Sequence, residues 1–168
     1  VKIYLASRYY RHPQMREYRA ALAAIGHEVT SHWIDVGGAG LTAAALGPNP
    51  DAGIPHAERD LEDIRAADAV MVFTGQPSTT GGMHVELGYA LGLGRRAILV
   101  GPRENVFHCL PGIEWYPDWD ALMARLAGTD ASTMCHECKT GYCGAAHCTT
   151  KTCSCLCSTW ARATEASA

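Results

Sequence analysis

Three things are scarce in this chain of 168 residues. Excess charge is the first. With 14 Lys and Arg against 17 Asp and Glu, the formal net charge is −3, which argues against the clustered basic face that a non-specific grip on nucleic acid needs. Long apolar runs are the second, and none approaches the roughly 20 residues that span a bilayer. A leader-like start is the third. Val1-Lys2-Ile3-Tyr4-Leu5-Ala6 is too short for the apolar region of a signal peptide and reads better as a strand. These absences give the expectation of a cytoplasmic protein with neither a membrane nor polymeric nucleic acid as partner. No internal repeat is visible, and the length suits one ordinary domain with a real core.

Cysteine is scarce in only one part of the chain. Of eight cysteines, Cys109 alone lies in the first 134 residues. This places a boundary near Gly128-Thr129-Asp130, between a globular α/β domain over 1–128 and a Cys/His-rich tail over 129–168. The tail's small-residue end, Ala161 to Ala168, is expected to be disordered. Its Cys135, Cys138, Cys143, Cys148, Cys153, Cys155 and Cys157 are interleaved with His136 and His147. In a cytosolic chain such density favours thiolate metal binding over disulfides, and zinc prefers tetrahedral sulfur and nitrogen. Seven thiols and two imidazoles exceed one tetrahedron, so the ligand set stays open. A flexible thiol-rich extension is the alternative reading.

The first 128 residues alternate strand and helix signals. Val1 to Ala6 is the first strand. Pro13 suits a helix start, Met15, Tyr18, Leu22 and Ile25 recur at helical spacing, and Gly26 is a natural stop. His27 to Trp33 reads as a second strand and Val36 to Asp51 as a long loop. A helix from Pro55 to about Ala67 follows, then a third strand over Asp68 to Thr74. Arg96 to Val100 and Ile113 to Trp115 are the remaining strands, and Pro117 to Ala127 the last helix. Such alternation predicts a doubly wound five-stranded parallel sheet, flavodoxin- or Rossmann-like, carrying the short Cys-rich appendix.

The most informative stretch is Gly81-Gly82-Met83-His84-Val85-Glu86-Leu87-Gly88-Tyr89-Ala90-Leu91-Gly92, after the third strand. A strand that ends in a Gly-rich loop and enters a helix is where open α/β sheets put their ligand sites. Met83 to Leu93 is apolar or glycine on nearly every side, which predicts a buried helix. Glu86 is expected in its first turn. Burial would protonate that carboxylate, whereas the positive end of the helix dipole favours the anion. A carboxylate held anionic in a dry site is suited to attack an electrophilic carbon.

Other candidates each have a plainer reading. Asp60 lies at the edge of an inward stripe of Ala57, Leu61 and Ile64, while Glu58, Arg59, Glu62, Asp63 and Arg65 look like a solvated face. Tyr4 in the first strand could simply pack, but a buried hydroxyl needs a partner, for which Glu86 is available. Ser7 and Arg8 follow that strand and border the expected crevice, where Arg8 could hold a phosphate or carboxylate. Thr80 precedes the glycine pair, and Asn105 follows the fourth strand; alone, each reads as a turn residue. Gly38-Ala39-Gly40-Leu41-Thr42-Ala43 loosely imitates a dinucleotide fingerprint, but it follows the wrong strand. His84-Val85-Glu86 with Cys135-His136-Glu137-Cys138 approaches a zinc-deaminase pattern, but Met134 stands where that motif has proline.

These residues together resemble the nucleoside 2-deoxyribosyltransferase family. The matching segments are Lys2 to Ala6, Gly26 to Thr30, Arg59 to Ile64, Ala67 to Val70, Gly81 to Ala90 and Asn105 to Phe107, within residues 1–127. The resemblance implies a double displacement at the anomeric carbon of a deoxynucleoside, without a cofactor. Glu86 would be the nucleophile that forms a glycosyl ester, Tyr4 would orient it, and Asp60 would assist protonation of the departing base. Gly81 and Gly82 would belong to the substrate-binding loop. Asn105 would approach the sugar of a neighbouring subunit's site in a homo-oligomer. A nucleobase leaves poorly until protonated, and a carboxylate stabilises the oxocarbenium-like state, so the chemistry agrees. One position departs. The transferases carry a second acid six residues before the nucleophile, and here that residue is Thr80. The related 2′-deoxynucleoside 5′-phosphate N-hydrolases carry a hydroxyl residue there that binds the phosphate, and Ser7 and Arg8 would fit a phosphate too. Transfer of deoxyribose between nucleobases is the first expectation, hydrolysis of 5′-monophosphates the second. A nucleotide-binding module without turnover stands as a reading of another class.

Overall fold

The computed structural model describes residues 1–36, 50–75 and 81–127. They fall in two compact units, one within Lys2–Trp115 and a second made of Val1 with the described residues from Tyr116 onward. The first unit contains β1 (Lys2–Ala6), α1 (His12–Ala24), β2 (Glu28–Val29), α2 (Ile54–Ala66), β3 (Ala69–Phe73), α3 (Gly82–Gly92), β4 (Arg96–Val100) and most of β5 (Ile113–Tyr116). In the second, α4 (Trp119–Leu126) begins at Asp118, whose side chain accepts a hydrogen bond from the Ala121 N–H at 2.8 Å. The expected five-stranded parallel sheet is present, in the order β2-β1-β3-β4-β5. The Gly-rich segment 38–43, Thr80 and all the expected zinc ligands lie outside the described residues.

The inner strands are buried on both faces, as a parallel sheet covered by helices requires. Alternate residues divide between two layers. Tyr4, Ala6, Val70, Val72, Ala97 and Leu99 join Ile64 and Ala67 with Met83, Leu87 and Ala90 of α3 in one core. The opposite face includes Phe73, whose ring lies 5.2 Å from that of Tyr18 in α1. Tyr4 therefore points into the same layer as α2 and α3.

Three expectations about elements are corrected. The second strand is two residues long rather than running to Trp33, because side chains take over the pairing. Ser31 Oγ accepts from the Leu5 N–H at 2.6 Å and donates to the Leu5 carbonyl, which also receives the Trp33 indole N–H at 2.8 Å. With the backbone groups of Leu5 satisfied, the chain turns into a 3-10 helix over His32–Asp35. Helix α3 is not buried on every side. Met83, Leu87 and Ala90 face the core, whereas Val85 is 67% exposed. On α2, Asp63 is buried rather than solvated and Ala57 is exposed, so the inward side is formed by Asp63 and Ile64 with the half-buried Asp60 and Leu61. Asp63 is held there by the His32 N–H at 2.8 Å and by His32 Nδ1 at 2.7 Å.

Candidate active site

In a sheet of this order the chain reverses direction between β1 and β3, and ligands lie outside the carboxyl ends of those strands. Arg11 donates to the last carbonyls of the β3 segment, Phe73 at 3.3 Å and Thr74 at 3.2 Å, which ties the 3-10 turn after β1 to it. Helix α3 starts at Gly81-Gly82, and a Cβ built on either glycine meets nothing within 4 Å among the described residues.

Three of the expected residues converge. Tyr4 is fully buried, and its hydroxyl donates to Glu86 Oε1 at 2.8 Å. Glu86 as a whole is half-buried, but its Oε2 is buried and has no hydrogen-bond partner among the described residues. Asp60 on α2 is half-buried and close enough for its charge to act on both. Burial raises the pKa of Glu86 from 4.5 to about 8, and the charge of Asp60 adds to this while the Tyr4 hydrogen bond opposes it. Burial likewise raises Asp60 to about 6, helped by the charge of Asp63 and opposed by the Tyr4 hydroxyl and by His56 and His32. The Tyr4 hydroxyl itself is pushed well above its ordinary value, first by burial and then by Glu86.

The expectation that a helix dipole keeps Glu86 anionic is corrected by its position. Glu86 is the fifth residue of α3, not in the first turn, and the dipole's influence falls off within that turn. Desolvation wins, so the free protein holds Glu86 largely protonated near neutral pH.

Ser7 and Arg8 follow β1 at the same rim. Ser7 Oγ and Arg8 Nε and Nη1 are buried without hydrogen-bond partners among the described residues. Arg8 Nη2 reaches Glu104 Oε1 at 3.3 Å. Asn105 is engaged within its own chain. Its Oδ1 accepts from the Phe107 N–H at 2.9 Å, and its Nδ2 lies 3.4 Å from His84 Nδ1. The Glu104 N–H donates to His108 Nδ1 at 3.1 Å, which puts the proton of His108 on Nε2. That atom sits 3.3 Å from His84 Nδ1, so His84 carries its own proton on Nε2, 3.6 Å from Glu104 Oε2. Burial, and then the charge of His84, push the pKa of His108 down, against the pull of Glu104. Sequence reasoning missed Glu104 and His108 entirely, because an acid and an imidazole in a loop carry no spacing signal. Among the described residues no group of three or more His, Cys, Asp or Glu is placed to hold a metal ion.

Known proteins share the fold that carries these residues. The chain resembles the solved structure of a 2-deoxyribosyltransferase from Bacillus psychrosaccharolyticus at 22% identity and a TM-score of 0.54, over 73% of this chain and 90% of the other. It also resembles the CMP N-glycosidase of Clostridium botulinum at 18% identity and a TM-score of 0.52, over 76% of this chain and 98% of the other. At these identities the likeness establishes the shared fold. None of the curated proteins is a match in sequence. The sequence profile described as nucleoside 2-deoxyribosyltransferase matches residues 3–143, most of the length. The chain therefore belongs to the nucleoside 2-deoxyribosyltransferase family.

Proposed function

We propose that this protein cleaves the N-glycosidic bond of 2′-deoxynucleosides and transfers the deoxyribose to a second nucleobase through a covalent ester on Glu86. The observation that carries the proposal is the carboxylate of Glu86, oriented at Oε1 by the buried Tyr4 hydroxyl and left without a partner at Oε2. Oε2 attacks C1′ as the C1′–N bond breaks, and the base departs with a proton from Asp60. In the second half a new base attacks C1′, the ester breaks, Glu86 is restored, and the incoming base returns a proton to Asp60.

The protonation states fit this cycle. Between about pH 6 and about pH 8 the pair Asp60–Glu86 holds one proton. In the resting form it sits on Glu86. The reactive form, anionic Glu86 with neutral Asp60, has the same charge and differs by one proton transfer. The Tyr4 hydroxyl interacts with both carboxylates, so it can donate to one while accepting from the other. Activity is therefore expected to follow a bell between those limits.

Incubating a deoxynucleoside with a second free base and analysing for the exchanged nucleoside tests the proposal. Exchange that vanishes in Glu86→Ala supports it, and an unaffected variant overturns it. A second reading, hydrolysis of 2′-deoxynucleoside 5′-monophosphates, draws on the unpartnered donors of Ser7 and Arg8, which suit a phosphate. Release of base from the monophosphate alone, without exchange, would favour it.

Two further features join the proposal. Val85 (67% exposed), Val106 (78%) and Phe107 (65%) leave apolar surface open beside Asn105 and the start of α3, which supports a homo-oligomer in which Asn105 lies near a neighbour's site. Sedimentation giving a monomer at micromolar concentration would count against this. We further propose that the Cys/His segment, Cys135 to Cys157, binds zinc, a reading that draws on its composition alone. Elemental analysis after purification without added metal checks that, and freely titrating thiols with sub-stoichiometric zinc would refute it.

A further inference from the structure

The rim of the sheet holds a second cluster that the proposed chemistry at Glu86 does not use. The carboxylate of Glu104, in the loop after β4, is received by groups from three other segments. Arg8 Nη2, after β1, lies 3.3 Å from Oε1. The Gly75 N–H, after β3, donates to the same oxygen at 3.0 Å. His84 Nε2, at the start of α3, is 3.6 Å from Oε2. The donors are more numerous than this one carboxylate uses. The side chain of Arg8 is only 6% exposed, and its Nε and Nη1 have no partner among the described residues, nor does the buried Ser7 Oγ. A buried guanidinium with two idle N–H groups, a backbone N–H, an imidazole N–H and an idle hydroxyl make a cradle for an anion with more oxygens than a carboxylate has.

We propose that Glu104 is a specificity-determining residue, whose carboxylate occupies this anion cradle and so confines the enzyme to unphosphorylated deoxynucleosides. The proposal rests on the N-glycosidic function assigned above. The cradle lies along the carboxyl ends of β1, β3 and β4, the rim on which a nucleotide would place its one anionic part, the 5′-phosphate. A carboxylate there accepts a hydrogen bond from a free 5′-hydroxyl. It repels a phosphate dianion and already takes the two donors that phosphate would need most, Arg8 Nη2 and the Gly75 N–H. Chemistry that a phosphate-binding relative would perform on monophosphates is thereby redirected by a side chain of this chain's own.

The test compares wild type with Glu104→Ala on one 2′-deoxynucleoside and its 5′-monophosphate, following base release, and titrates both proteins with inorganic phosphate by thermal shift. In Glu104→Ala the ratio of kcat/KM for monophosphate over nucleoside is expected to rise about ten- to hundredfold, with phosphate binding tightened to a similar degree. Adding Arg8→Ala to that variant should remove both gains. Glu104→Gln, which keeps the shape and discards the charge, should move both readouts the same way and serves if the alanine variant fails to fold. A wild type that already prefers the monophosphate overturns the proposal. So do variants that bind inorganic phosphate no more tightly than wild type. If no protein releases base from either compound, the assigned function fails, and the phosphate titration still decides the cradle.

Discussion

Removing the Tyr4 hydroxyl is the perturbation that best separates orientation from mere packing. In Tyr4→Phe the ring still fills its fully buried place in the core, but Glu86 Oε1 loses its 2.8 Å hydrogen bond and Asp60 its nearby hydroxyl. That bond stabilises the anionic form of each carboxylate. A hydrogen bond to a charged group contributes roughly 1.5–3 kcal/mol, and 1.36 kcal/mol corresponds to one pKa unit. Both limbs of the activity profile, near pH 6 and pH 8 in the native protein, should thus move upward by about one to two pH units. The hydroxyl also holds Glu86 Oε1 in place, so losing that orientation should lower maximal kcat/KM for base exchange about tenfold or more. The assay is initial exchange rate against pH for both proteins, with carboxyl carbon NMR of Glu86 following its titration directly. An unchanged bell, or one displaced toward acid, refutes the reasoning, because either result means that Tyr4 does not hold these carboxylates.

Other outcomes follow from the same forces. Glu86→Gln should abolish exchange yet stabilise the fold. Glu86 titrates at about 8 when folded against an ordinary 4.5, so the native state binds the extra proton and native stability falls as pH rises through that window. Denaturant unfolding should show the variant gaining on wild type from pH 5 to pH 8, with an advantage on the order of 3 kcal/mol near pH 7; a constant difference would contradict the burial of this carboxyl. Gly101→Ala should destabilise by about 2 kcal/mol or more. Gly101 has φ +113°, and an added Cβ would fall 2.6 Å from Thr74 Oγ1 and 3.0 Å from the Thr74 carbonyl oxygen. Urea midpoints measure this, and a neutral effect would mean the turn after β4 relaxes freely.

Much of the fold is legible in the sequence because the strands are apolar and the helices amphipathic. Ala69 to Phe73 and Arg96 to Val100 have few alternatives to buried parallel strands, and Pro13 marks the start of α1, lying one residue inside it. Local pattern fails where long-range pairing decides. Ser31 and Trp33 look like strand residues until their side chains capture Leu5, 26 and 28 positions away in sequence. Asp63 looks solvated by helical phase alone, but its partner His32 arrives from another segment. At the site, the meeting of Tyr4 with Glu86 was readable from topology, since both border the point where strand order reverses. The sense of the Glu86 titration was not, because it depends on where α3 begins, one residue either way deciding whether the dipole reaches the carboxyl. Glu104 was invisible because its partners come from three separate segments, two loops and the start of α3.

The two-residue β2 has a consequence beyond this chain's own folding. It lies at the border of the sheet, and past Val29 the main chain of β1 would stand bare at Leu5. Ser31 and Trp33 instead occupy both the N–H and the carbonyl of Leu5 with side-chain atoms. Another molecule's extended segment would find neither the N–H nor the carbonyl of Leu5 free to pair with, because a hydroxyl and an indole already hold them.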